Sequence, residues 1–221
     1  MNNEKVENVI QEEIKKDEGN TTPSMKVTEF IIDKSRRVCP LSEKTIKMLV
    51  TQLAAELSNY NMYKTFANWF DTQGLTKLGE YFEGRAEEEK KHHDWIYWYL
   101  TYNDAEFEYP EIPATNVTIK DREEPFRATV DREIETTMRI NSIVKHVFEE
   151  GDYATFQWFM SEDTETGSLV KEQVEEESIS RTILDMACEQ ASWLRKENAI
   201  LDFYKNLSLI HISEPTRLDV I

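Results

Sequence analysis

The sequence predicts an all-α protein: a four-helix bundle with a long crossover between the second and third helices and a short fifth helix at the C-terminal end. Three observations lead there. Glycine and proline number 6 each in 221 residues, which favours long helices over a turn-rich sheet. Apolar residues recur every three or four positions in four successive stretches, the period of one buried helix face. Pro110 and Pro113 mark a long gap between the second and third stretches, and a long link lets a bundle chain cross to its far end.

Residues 1–40 are polar and mixed in charge, with Gly19-Asn20-Thr21-Thr22-Pro23 in the middle. They read as a mobile extension, with a short helix suited to Val6–Lys16. The domain itself is expected over residues 41–207. Ser42 caps the first helix, with Thr45 three residues on in place of the Glu of a full capping box. Its seam reads Leu49, Gln52, Leu53, Glu56, Tyr60, Tyr63, Phe66 and Phe70, and Gly74 ends it. The second seam is Leu75, Leu78, Phe82, Arg85, Ala86, Glu89, His92, Ile96 and Tyr99, ending near Tyr102 or Asn103. The crossover then runs to about Lys120. A third helix starts near Asp121, with Pro125 tolerated in its first turn. Its seam is Phe126, Val130, Glu133, Thr137, Ile140, Val144 and Val147, up to Gly151.

The fourth helix is interrupted. Tyr153–Met160 is aromatic and apolar, but a straight helix through Ser161–Gly167 would bury Asp163 and Gly167, so a loop or bulge is expected there. The pattern resumes from Ser168 with Val170, Gln173, Glu176, Ser180, Ile183 and Ala187. Ala199, Ile200, Phe203, Tyr204 and Leu207 suit the short fifth helix after a polar connector, Lys196-Glu197-Asn198. Residues 208–221 read as an irregular tail. Within it, Ile210–Arg217 resembles a translated sequencing-adapter tail, and no function is assigned to it.

The charge balance excludes some functions. With 43 acidic and 26 basic residues the net charge is −17. Phosphate binding needs clustered Lys and Arg, so nucleic acid is not an expected partner. A negative field does concentrate cations. No apolar run reaches the ~18 residues of a membrane span. The N-terminal Met1-Asn2-Asn3-Glu4-Lys5 lacks the apolar stretch of a secretory signal. Cys39 and Cys188 form no motif, which suits a reducing cytoplasm.

Each helix carries metal-ligand chemistry on its otherwise apolar seam: Glu56; Glu89 with His92; Glu133; Gln173 with Glu176. Glu89 and His92, at i and i+3, project the same way. Their oxygen and nitrogen donors bind divalent iron, zinc or manganese. Ionised carboxylates inside a bundle are costly unless paired or bound to metal. Four Glu and one His, near mid-helix on four helices, suit two iron ions bridged by a carboxylate. The same pattern leaves two other readings open. One is a di-iron enzyme that consumes peroxide or an organic substrate without storing iron. The other is a non-catalytic interaction bundle whose seam carboxylates fix packing register.

Neighbouring residues divide as follows. His93 points about 100° away from His92 around the helix, outside the donor face. His146 reads as a surface or interface residue. Tyr63, two turns from Glu56, suits packing and a place beside the metals equally. Glu88, Glu172 and Glu175 read by default as a solvated acidic face, and Lys90 and Lys91 as outer surface. The tryptophans, among them Trp69, Trp95 and Trp98, exceed what one bundle core needs and suit subunit contacts.

From about Leu41 to Leu207 the chain resembles the non-haem bacterial-type ferritins. The resemblance is carried by Leu53-Ala54-Ala55-Glu56 with Tyr63, Arg85-Ala86-Glu87-Glu88-Glu89-Lys90-Lys91-His92, Arg132-Glu133-Ile134, Gly151-Asp152-Tyr153-Ala154-Thr155-Phe156 and Glu172-Gln173-Val174-Glu175-Glu176-Glu177, in matching order and spacing. It implies a ferritin-like four-helix bundle that oxidises Fe(II) with dioxygen or peroxide and deposits it as mineral inside a 24-subunit shell. It implies one iron on Glu56, Glu89 and His92. A second is implied on Glu89, Glu133 and Glu176 with Gln173 close by, and a third, weaker site on Glu88, Glu172, Glu175 and Glu176. Tyr63 matches a tyrosine beside the ferroxidase centre. Relatives with a second Glu-x-x-His in the fourth helix differ here, where the chain reads Gln173-Val174-Glu175-Glu176. The methionine that binds haem in bacterioferritins is replaced by Lys90, so no haem is expected. The stretch from Phe156 to Glu172 is about one heptad longer than in the family. That nearly preserves helical phase but moves Gln173 and Glu176 about two turns along the axis unless the extra residues loop out.

Overall fold

Ser42 starts the first helix as the sequence predicts. Its Oγ accepts from the Thr45 backbone N–H at 3.1 Å, and α1 runs Glu43–Thr72. The computed structural model describes residues 39–161 and 168–212; residues 1–38, 162–167 and 213–221 lie outside the described residues. The chain turns at Gly74, whose φ of +74° is a left-handed conformation that glycine adopts without a Cβ clash. The link is short, so α2 (Thr76–Tyr102) packs antiparallel on α1. No helix or strand forms over 103–123. This crossover lies over the middle of α1, where the Ser58 hydroxyl donates to the Pro113 carbonyl at 3.1 Å.

The third helix, α3, spans Glu124–Glu150 and begins after Asp121, because Asp121 Oδ1 accepts from the backbone N–H groups of Glu123 (2.9 Å) and Glu124 (2.8 Å). Gly151 ends it at φ +75°. The fourth helix is in two pieces. Asp152 caps α4 (Tyr153–Met160), and Ser168 caps α5 (Leu169–Cys188). The Ser168 hydroxyl also donates to the Phe159 carbonyl at 3.1 Å, tying the second piece to the first. Asp163 and Gly167 fall outside the described residues.

The last helix, α6, is longer than the sequence predicts, running Trp193–Ile212. The expected connector Lys196-Glu197-Asn198 is inside it, and Lys196 and Glu197 are buried. Both are partnered. Lys196 Nζ donates to the Ala187 carbonyl at 2.6 Å and sits 4.2 Å from the Trp193 ring centre. Glu197 accepts from the Lys77 backbone N–H at the start of α2. The helix also continues past Leu207 into the tail expected to be irregular.

The described residues thus form helices and no strand, an all-α bundle. Two apolar clusters fill it. One contains Tyr63, Phe66, Phe70, Phe82, Phe126 and Ile183; the other contains Leu49, Leu53, Ile96, Leu100, Ile140 and Phe159. On every bundle helix the ligand-type residues fall between members of these clusters in sequence. On α3 the buried face is turned slightly from the predicted one. Thr129, Thr136 and Ile143 are buried beside Glu133, while Val130, Thr137 and Val144 are half-buried flanks. Thr129 is buried without loss because its hydroxyl donates to the Pro125 carbonyl at 2.8 Å.

Candidate metal centre

Glu56 on α1 and Glu89 and His92 on α2 converge between the apolar clusters. One ligand atom from each lies within 4.8 Å of the others, and all three are buried. Among the described residues this is the one group of three or more His, Cys, Asp or Glu side chains that close. Polar neighbours aim the carboxylates. Gln52, one turn before Glu56, donates to its Oε1 at 2.6 Å and is itself held by Arg139 at 3.1 Å. Asn59, one turn after Glu56, donates to Glu89 Oε2 at 3.2 Å. Glu56 Oε2 is buried and receives no N–H or hydroxyl bond.

The electrostatics favour bound protons at two of the three converging side chains, Glu89 and His92. Burial pushes the Glu89 carboxyl well above the usual carboxylate range, and Glu56, Glu133 and Glu176 push it the same way. Burial alone would lower the His92 imidazole. Glu176, the hydrogen bond to Glu172 (2.9 Å) and Glu56 outweigh it and push His92 up to about 10. Glu89 and His92 are thereby both drawn toward their protonated forms. A divalent ion bound to Glu56, Glu89 and His92 would replace those protons, and the donor set fits one.

Glu133 and Glu176 are close by, but another group occupies them. The buried Arg85 guanidinium donates from Nη2 to Glu133 Oε1 at 2.6 Å and from Nη1 to Glu176 Oε1 at 3.0 Å. Tyr63 donates to the same Glu133 oxygen at 2.5 Å, and Gln173 Nε2 donates to Glu133 Oε2 at 2.9 Å. Gln173 and Glu176 therefore face inward despite the lengthened segment before them. Burial pushes Glu176 up to about 7, against the pull of Arg85 and His92. Of the remaining sequence candidates, Glu88, Glu172 and Glu175 are half-buried. Glu88 accepts from Arg85 Nη1 at 2.8 Å and from the Tyr204 hydroxyl of α6 at 2.9 Å.

Of two further histidines, His146 departs from its sequence reading and His93 keeps to it. His146 is buried near Glu150, where a surface or interface position was expected, because it follows Ile143 on the turned face of α3. His93 is buried outside the centre, where it bonds Asp94 and the Tyr109 hydroxyl from the crossover. Sequence reading missed Asn59 and Arg139 as supports, and Thr136, whose hydroxyl oxygen accepts from Arg139 Nη2 at 2.9 Å. Asn59 sits three residues from Glu56 on the same face, which is the signal that was available.

The family model of the ferritin-like domain matches residues 46–186. The chain belongs to the ferritin-like family. A bacterial non-heme ferritin of Campylobacter jejuni is 30% identical over 148 residues, 66% of this chain and 83% of that protein. A probable bacterial non-heme ferritin-like protein of Haemophilus influenzae is 31% identical over 148 residues, 66% and 84%. Among solved structures, a humanized archaeal ferritin has a TM-score of 0.63 at 25% identity, covering 76% of this chain and 96% of its own. An engineered closed form of the Archaeoglobus fulgidus ferritin has a TM-score of 0.61 at 25% identity, covering 76% and 97%. The ferritin-family match spans the donors on all four helices that carry them, from Glu56 to Glu176.

Proposed function

We propose that this protein is an iron-storage ferritin subunit that oxidises Fe(II) at a two-iron centre. The observation that carries the reading is the buried convergence of Glu56, Glu89 and His92 in a ferritin-family bundle. Glu56, Glu89 and His92 would bind the first iron. Glu89 would bridge to a second held by Glu133 and Glu176, with Gln173 beside it. Glu88, Glu172 and Glu175, with Glu176, would form a weaker third site toward the surface. Two Fe(II) each give one electron, reducing dioxygen with two protons to hydrogen peroxide, or peroxide with two protons to water. Hard carboxylate donors tolerate the Fe(III) product, which moves on to mineral. Gln52 and Asn59 orient the carboxylates, and Tyr63 fixes Glu133.

The reading includes assembly into a hollow shell, 24 subunits by family resemblance, in the cytoplasm. Exposed Trp98, Tyr102, Met138, Phe148 and Tyr153 support burial between subunits. Among the described residues no helix is long and apolar enough to cross a membrane. The test is aerobic Fe(II) oxidation by purified protein against Glu89→Ala and His92→Ala, followed by stopped flow. Both variants are expected to lose most of the rapid phase; undiminished rates in both overturn the centre. Sedimentation should find a large, iron-loadable particle, and a monomer or dimer that holds no mineral overturns storage.

A further inference from the structure

We propose that the Arg85 guanidinium is a resident counter-cation in the second metal position, so that the two positions fill in order and the second ion enters only by displacing it. The proposal rests on the ferroxidase reading above and deepens it. Glu133 and Glu176 are two of the three side chains assigned to the second ion, and one planar fork spans both, at 2.6 and 3.0 Å. The first position, Glu56, Glu89 and His92, has no such occupant, and Glu56 Oε2 lacks a donor.

Charge sets the order. One divalent ion together with Arg85 brings three positive charges against four buried carboxylates, Glu56, Glu89, Glu133 and Glu176. A second divalent ion added with Arg85 in place brings five, and it would need the same Glu133 and Glu176 Oε1 atoms that the fork already holds. The guanidinium therefore has to move, and the structure offers a way out. Arg85 Nη1 is already bonded at 2.8 Å to Glu88, one turn along α2 and 30% exposed at its side chain. Tyr204 of α6 holds Glu88 on that side at 2.9 Å. The fork can pivot outward about the Glu88 contact while giving up Glu133 and Glu176. Arg85 Nε has no partner in its present place, so the buried pose is not a fully satisfied one.

The test uses the full-length metal-free protein and Zn(II), which binds the same donors without redox chemistry. Calorimetry should find one tight ion per subunit, removed by His92→Ala, and a second about tenfold weaker or more, removed by Glu133→Gln. Arg85→Gln should bring the second affinity toward the first. Wild-type crystals read the same order without a variant. At one equivalent of Zn(II), anomalous density should lie at Glu56, Glu89 and His92 with Arg85 still on Glu133 and Glu176. At saturation Arg85 should have moved toward Glu88. Two ions of equal affinity in the wild type, or both positions filled with Arg85 unmoved, overturn the role of Arg85 and leave the ferroxidase reading standing. No ion at Glu56, Glu89 and His92 overturns both.

Discussion

His92 shows how far a buried carboxylate cluster can move a neighbouring group. Its imidazole rises from an ordinary 6.5 to about 10, and Glu176 rises from 4.5 to about 7. A group whose folded value is raised binds more protons folded than unfolded across that interval. Its contribution to stability is complete below the ordinary value and lost as pH climbs through the raised one. Glu176 loses its share between 4.5 and about 7, and His92 between 6.5 and about 10. Thermal melts of the metal-free protein should therefore show Tm falling from weakly acidic to alkaline pH. Metal binding has the opposite sign, because the ligands must shed protons, so Zn(II) affinity should rise over the same range with proton release. A Tm that climbs through that window contradicts the protonated, metal-free centre. Tyr63→Phe removes one of three donors to Glu133, and its urea midpoint should report a loss of about 1 kcal/mol. Glu56, Glu89 and His92 were legible in the sequence because a charged residue on an apolar seam stands out. Arg85 was visible on the same seam, but its role was not. Only three-dimensional placement tells a snorkelling arginine from one that bridges Glu133 and Glu176.

At the scale of the element, caps and close approaches decide where each helix begins and what it touches. Ser42→Ala removes the N-cap of α1 and a 2.8 Å bond to Glu150, and chemical denaturation should register about 1 kcal/mol. Gly84 lets α6 approach α2. A Cβ there would lie 2.7 Å from the Tyr204 hydroxyl oxygen and 2.9 Å from Cε1. Gly84→Ala gains helix propensity but pushes Tyr204 away from Glu88. Amide exchange should accelerate in α6 with little change in α1; unchanged exchange in α6 would mean that Tyr204 does not anchor that helix. The first three helices were readable because their seams keep period over about six or seven turns, and the fourth because its seam resumes for about five turns after the break. The start of α6 was not, since Lys196 and Glu197 look like a connector until Ala187 and Lys77 supply their partners. The face of α3 was off by a small rotation, because Thr129 and Val130, or Thr136 and Thr137, are interchangeable to a hydrophobic pattern.

For the whole molecule, a net charge of −17 makes the surface a collector of cations. Raising ionic strength from about 0.01 M to about 1 M shortens the screening length from ~30 to ~3 Å. The initial rate of Fe(II) oxidation should fall with salt while the amplitude per subunit stays fixed. A salt-independent rate would mean that the field does not steer uptake. The central claim is narrower than storage or steering: Glu56, Glu89 and His92 bind the iron that is oxidised. Crystals soaked anaerobically with Fe(II) test it most directly, through anomalous scattering at the iron edge. The account predicts a strong peak between those three side chains, lost in His92→Ala. Iron bound elsewhere in the bundle, with that position empty, would contradict it.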